Sequence, residues 1–402
     1  MRKILSLLFA LPLAAQAQHP VVESILDALS IDSMMHYVEQ LSGETPVDIG
    51  NGPELIVSRH KFAPGNIIAE QWLALKLAGF GYEPIEQSFS TTGRNILAWK
   101  EGTTHPDEYY ILCAHFDAMP GGMLAAPAAD DDGSGCGAVL EAARVLRDIE
   151  FEYSILFAFW DEEEQGLVGS AFHAAGLAAN DAPLRGVVNM DAIAYDGNGD
   201  TKARIHTRPI AQSFQLSDMV FTVRADYDID LDLILTNPGA TYSDHASFWN
   251  EGYSAILVIE EFGADGNPYY HTINDKVEHF DVPYYEKLAK LSIATLATLA
   301  VPVGGPQYVA DVAGPAAALY AFPNPTEGDA TLWLELPEAT RVDLVLLDAM
   351  GREVARPHAG QLPAGKHSFT LPLGGLSAGT YQIVARAGQQ APMALRLLRV
   401  PN

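Results

Sequence analysis

Histidine and carboxylate residues recur where four apolar runs end. His115-Phe116-Asp117 follows ILCA (111–114), Asp161-Glu162-Glu163-Glu164 follows ILFAFW (155–160), Asp191 follows VVNM (187–190), and Glu260-Glu261 follows AILVI (255–259), with His271 shortly after. Between the first two runs lies AADDDGSGCG (128–137), in which Asp130, Asp131 and Asp132 are adjacent. His115 and Asp117 are two residues apart, so on a strand they project to the same side. Asp117 can therefore accept the second ring N–H of a metal-binding His115 and fix its tautomer. Oxygen and imidazole ligands without thiolate fit zinc or a similar divalent ion, and carboxylate bridging favours two ions close together. A hydroxide between them is a nucleophile at neutral pH, and forming it requires a base to take the water proton. The adjacent glutamates 163 and 164 suit that division, one ligating while its neighbour faces the water.

Such a constellation needs rigid carriers. The four runs are of strand length, and stretches at helical spacing alternate with them at 67–77, 138–146 and 284–299. Continuously apolar strands between helices imply a sheet covered on both faces. The expected fold is a three-layer α/β/α sandwich around a mixed, largely parallel sheet, with the ligand site beyond the carboxyl ends of the strands. Downstream, short alternating runs appear at 331–336, 341–348, 367–373 and 380–387, separated by turn signals such as Asn324-Pro325, Met350-Gly351 and Ala378-Gly379. That texture predicts a small all-β sandwich.

Charge marks the same division. The 402 residues carry 24 Lys+Arg against 51 Asp+Glu, a formal charge of -27, yet in residues 319–402 acidic and basic residues balance. This acidity argues against nucleic acid or an anionic membrane surface as a partner. The start, MRKILSLLFALPLAAQAQ, has a basic beginning, a short apolar run and Ala15-Gln16-Ala17, the pattern of a secretory signal cleaved after Ala17. The apolar run is shorter than the ~20 residues a spanning helix needs, so no membrane span is expected. The expected organisation is a signal peptide at 1–17, a catalytic domain at 18–302, a Gly/Pro/Ala-rich linker at 303–318 and a β-sandwich at 319–402. The two cysteines, Cys113 and Cys136, exclude a disulfide scaffold and a four-cysteine zinc site, and leave a single bridge open.

The strings AHFDAMPG, AADDDGSG, FWDEEEQGLVGS, NMDAIAY, YSDHASF and PYYHTINDK, in that order, resemble the M28 zinc aminopeptidases, co-catalytic dizinc exopeptidases. The resemblance covers roughly residues 30–300. It implies two Zn2+, one held by His115, Asp130 and Asp191 and the other by Asp130, Glu164 and His271, with Asp130 bridging. Glu163 takes the general-base position and Asp117 supports His115. The implied substrates are peptides or proteins with a free N-terminus. Glutaminyl cyclases share this fold but work with one zinc, and a non-catalytic peptide-binding domain of the same fold is a further alternative.

In the C-terminal unit, YAFPNPTEGDATLWL, LLDAMGREV and LSAGTYQIVARAG resemble the sorting domain of the type IX secretion system. This implies a partner in that machinery and a protein secreted to the medium or cell surface of a Bacteroidetes-type bacterium.

Other motifs carry less. Ser243-Asp244-His245 holds the residue types of a serine hydrolase triad, but sequence neighbours rarely present their side chains in the required order. Gly375-Leu-Ser377-Ala-Gly379 matches a nucleophile elbow without the strand-turn-helix context. Asp196-Gly-Asn198-Gly-Asp200 begins like a calcium loop, but position twelve is Thr207, so calcium is weakly supported and a polar turn is expected. Asp226, Asp228, Asp230 and Asp232 are expected on the solvated face of a strand.

Overall fold

The computed structural model describes residues 18–121, 125–263, 265–303, 318–322, 326, 328–336, 338–348, 352–388 and 393–400. The expected signal segment 1–17 and residues 304–317 of the expected linker lie outside them, as do the turn signals at 324–325 and 350–351. The chain divides into two compact units, Met1–Val309 and Ala310–Asn402.

The first unit begins with α1 (Pro20–Ala28), α2 (Ile31–Leu41), a short hairpin of β1 (Val47–Asp48) and β2 (Pro53–Glu54), and α3 (Pro64–Gly79). Three strands follow: β3 (Pro84–Ser88), β4 (Arg94–Lys100) and β5 (His105–His115). A wide turn (Ala129–Ser134), termed the π-turn although Asp131 and Asp132 have non-helical backbone angles, leads into α4 (Gly135–Leu146), then β6 (Tyr153–Trp160), α5 (Val168–Ala179), β7 (Leu184–Met190) and β8 (Lys202–His206). The unit closes with α6 (Ser213–Asp226), β9 (Asp232–Thr236), α7 (His245–Asn250), β10 (Ala255–Glu260) and α8 (Val282–Ala300).

The eight-stranded sheet has the order β3-β4-β6-β5-β7-β10-β8-β9. Its centre, β6-β5-β7-β10, is parallel, while β3, β4 and β8 pair antiparallel to their inner neighbours. Alternation along β5 explains the layers: Tyr110, Leu112 and Ala114 enter the core shared with α2, α3, α4, α6 and α8, whereas Ile111 and Cys113 enter the core shared with α5 and α7. Likewise Phe157 and Phe159 face the first layer and Trp160 the second. Removing such a phenylalanine to alanine typically costs about 3–5 kcal/mol. Helix α8 is fixed at its start by Asp281, which accepts the Tyr284 N–H at 3.0 Å, and by a proline in its first turn. From there Tyr285 reaches back to donate its hydroxyl to the Ser134 carbonyl at 2.8 Å, tying the helix to the π-turn.

The second unit stacks antiparallel strands β11 (Ala318–Phe322), β12 (Ala330–Leu336) and β15 (Gly365–Leu371) as one sheet, in the order β11-β12-β15. The other sheet contains β13 (Thr340–Asp348), β14 (Glu353–Leu362), β16 (Gly379–Ala387) and β17 (Met393–Arg399), in the order β14-β13-β16-β17. Its core alternates with period two: Leu332, Leu334 and Leu336 on β12, Val342, Leu344 and Leu346 on β13, and Ile383 and Ala385 on β16.

One expectation changes, and one question left open is answered. The aspartate-rich stretch is not one strand: α6 runs to Asp226, the Ile229 N–H returns to the Arg224 carbonyl at 3.0 Å, and only Asp232 falls in a strand, at the start of β9. Ile229 and Leu231 are nevertheless buried between exposed aspartates. Cys113 and Cys136 are both buried and free. Cys136 donates its thiol to the His115 carbonyl at 3.1 Å, and Cys113 donates to Asn189 Oδ1 at 3.2 Å.

Candidate metal centre

The carboxyl ends of β5, β6, β7 and β10 bring the candidate residues together. His115 is the last residue of β5, Glu163 and Glu164 follow β6, Asp191 follows β7, and His271 lies in the loop after β10. Between them sits the π-turn. Asp131 points one oxygen at each histidine: Oδ1 lies 3.1 Å from His115 Nε2, and Oδ2 lies 3.0 Å from His271 Nε2. Glu164 Oε2 is 2.9 Å from His271 Nε2, and Asp191 Oδ1 is 3.7 Å from His115 Nε2.

Asp131, and not Asp130 as expected, therefore stands between the two histidines. Asp130 turns away, its Oδ1 accepting the Ala194 N–H at 2.9 Å and its Oδ2 accepting Asn267 Nδ2 at 2.8 Å. The cause lies elsewhere in the chain. Asp275 accepts the backbone N–H groups of Asp130 and Asp131 at 3.0 and 3.1 Å and so sets which aspartate faces the histidines. Asp132 takes a third direction, its oxygens accepting the N–H groups of His115, Gly135 and Ala192 at 3.1, 2.9 and 3.3 Å. Gly135 is required there because a Cβ would stand 2.3 Å from Asp132 Oδ1. Asp132 lies within ligand range of His115 and Asp191, but its oxygens are already engaged by the backbone.

Asp117 braces this arrangement. Its two oxygens accept the N–H groups of Glu163 and Glu164 at 3.0 and 3.2 Å, and Oδ1 lies 3.5 Å from His115 Nδ1. Glu163 is thereby held with Oε2 4.0 Å from His115 Nε2.

Carboxylates dominate the electrostatics of the centre. Burial would lower both histidines, yet surrounding carboxylates override it: Glu163, Asp117, Asp131 and Asp191 hold His115 well above its ordinary value, and Asp131 and Glu164 raise His271 to about 10. Burial raises the Glu163 carboxyl well above the usual range; His115 pulls it down, while Asp244, Asp191 and Asp117 push it up. Asp131 Oδ2, Glu164 Oε1 and His271 Nε2 are buried without a hydrogen-bond partner among the described residues, although they crowd at short range. Atoms that converge without hydrogen-bond geometry fit cations between them. His115, Asp131 and Asp191 would hold one ion, and Asp131, Glu164 and His271 the other.

The remaining motifs do not join this centre as catalysts. Ser243 accepts from Asn189 Nδ2 at 2.7 Å, and His245 donates Nε2 to the Ala240 carbonyl at 2.9 Å, so no triad forms. Asp196 accepts the N–H groups of Gly199, Asp200 and Thr201 within its own loop, the geometry of a polar turn. Ser377 lies in the connection before β16. Sequence reasoning missed Asp131, although it stands in the aspartate run, and Asp275, although it stands in PYYHTINDK.

The profile of peptidase family M28 matches residues 95–296, half of the chain, and includes every residue of this centre. The chain belongs to peptidase family M28. Among M28-like relatives, it is 28% identical over 264 residues to "Aminopeptidase YwaD" of Bacillus subtilis, covering 64% of this chain and 54% of that protein. It thus spans about half the length of the curated relatives it matches. The LapA aminopeptidase of Legionella pneumophila has a similar fold, with a TM-score of 0.60, 24% identity, and coverage of 70% of this chain and 75% of LapA. A glutaminyl cyclase of Bacteroides thetaiotaomicron bound to N-acetylhistamine shares the fold at a TM-score of 0.53 and 18% identity, covering 67% of this chain and 97% of that one.

Proposed function

We propose that this M28 chain is an aminopeptidase acting on peptides with a free N-terminus. The observation that carries this reading is Asp131, whose two oxygens serve two histidines 3.1 and 3.0 Å away, each backed by a further carboxylate. Two divalent ions, zinc by the chemistry of the donors, would polarise the scissile carbonyl and acidify a water at neutral pH. Glu163 would take a proton from the attacking water as the C–O bond forms and return it to the leaving amine as the C–N bond breaks. Asp117 keeps Glu163 and His115 in register through its three contacts.

An aromatic wall stands beside this centre. Tyr270 stacks on His271 with centroids 3.7 Å apart, Phe262 meets Tyr270 edge-on at 5.1 Å, and Tyr242 lies 6.4 Å from Phe262. Tyr242 and Tyr270 are about half exposed, so this face favours an apolar first residue. The N-terminal and C-terminal segments support export by a secretory signal and then by type IX machinery, leaving the protein secreted or at the cell surface. N-terminal sequencing and the intact mass of the exported protein test that part.

Activity is tested with one peptide bearing N-terminal leucine, free or acetylated, on protein of measured zinc content. Cleavage of the free form alone is expected; equal cleavage of both overturns the exopeptidase reading. The fold shared with a glutaminyl cyclase gives the rival outcome, cyclisation of N-terminal glutamine with about one zinc per chain. Two zinc ions without turnover would favour a peptide-binding domain.

A further inference from the structure

Arg59 is fully buried, and none of its hydrogen bonds goes to a carboxylate. Its Nε donates to the Phe116 carbonyl at 2.6 Å, Nη1 to the carbonyls of Leu41 and Pro127 at 2.7 and 2.8 Å, and Nη2 to the Ala128 carbonyl at 2.8 Å. These acceptors are placed with purpose. Phe116 is the residue after His115, and Pro127-Ala128 leads into the π-turn that carries Asp131. The arginine's own carbonyl accepts Asn66 Nδ2 at 3.0 Å, and the same amide donates to Asp161 Oδ1 at 2.9 Å, at the head of the turn that carries Glu163 and Glu164. Two residues on, Lys61 pairs with Glu162 at 2.8 Å. One short segment thus reaches all three ligand-bearing turns on the β5 and β6 side of the centre.

Burying a cation is costly unless hydrogen bonds compensate it, and here four backbone carbonyls do so, each of which would be left unpaired by an apolar residue. A guanidinium also offers donors in a rigid planar fork that lysine cannot reproduce. We propose that Arg59 is a positioning residue for the metal centre, setting the spacing between His115 and Asp131. This rests on the metal-dependent reading above, and it deepens that reading by naming what holds the ligand carriers apart.

The test uses the full chain with Arg59→Lys, Arg59→Met and Arg59→Gln, each checked for folding by circular dichroism and thermal melting. Zinc affinity is measured by chelator competition, kcat and KM on the leucine peptide, and the metal-free geometry by crystallography. Zinc affinity is expected to fall in the order Arg, Lys, Met, by about tenfold or more for lysine, with kcat reduced and KM nearly constant. In the metal-free Arg59→Lys protein, the 3.1 Å separation of His115 Nε2 and Asp131 Oδ1 should widen by about 1 Å. Unchanged affinity, kcat and separation, with only the melting temperature lowered, would overturn the proposal. If neither Arg59→Lys nor Arg59→Met folds, Arg59→Gln, which keeps a side-chain N–H for these carbonyls, decides: lower zinc affinity and kcat support the proposal, and wild-type affinity and kcat overturn it. If wild-type protein binds no zinc, the functional reading fails, while the metal-free separation still decides the role of Arg59.

Discussion

Asp117 and Glu163 are joined through the backbone, the Oδ1 of Asp117 accepting the Glu163 N–H at 3.0 Å. The same oxygen lies 3.5 Å from His115 Nδ1, so one carboxylate aligns the proposed general base and a proposed ligand together. Asp117→Asn would turn an acceptor into a donor facing these N–H groups. Zinc affinity or kcat is expected to fall about 10–100-fold, as read by chelator competition and steady-state kinetics. Unchanged values in both would remove Asp117 from the centre.

On the proposed reading Glu163 moves a proton rather than holding an ion, because Glu164 and not Glu163 faces His271. Glu163→Gln should retain both zinc ions and lose about 10²–10⁴-fold in kcat with little change in KM. Loss of an ion, measured by elemental analysis, would make Glu163 a ligand instead.

Stability should fall on the acid side through buried neutral histidines outside the centre. His173 lies against Trp160 with ring centroids 5.0 Å apart, and burial lowers its pKa from 6.5 to about 4. Between those values the unfolded chain binds a proton that the folded one does not, so stability declines as pH falls from about 6.5 to 4, by order of 3 kcal/mol for this group. Melting temperatures across that range should drop less steeply in His173→Gln. An identical slope would show that His173 is protonated in the folded protein.

Legibility followed burial. The strands β5, β6, β7 and β10 are covered on both faces, so each reads as an unbroken apolar run, and the chemistry at their ends could be found by following the runs out. The strand β14 (EVARPHAGQL) buries no residue fully and carries no such signal. Within the site, His115, Glu163, Glu164, Asp191 and His271 each stand in a distinctive setting, whereas Asp130, Asp131 and Asp132 are chemically identical neighbours. The choice among them is made by Asp275, Asn267 and the Ala194 N–H, all far away in sequence. Arg59 was invisible for a related reason: beside His60 and Lys61 in VSRHKF it looks like surface until its acceptors at Phe116, Pro127 and Ala128 are seen around it.

The central claim is that Asp131, and not Asp130, joins two ions. Anomalous diffraction at the zinc edge from zinc-loaded crystals tests it directly. The account predicts two peaks per chain, each about 2.0–2.2 Å from an oxygen of Asp131, one beside His115 and the other beside His271. A single peak, or two peaks joined through Asp130, would contradict it.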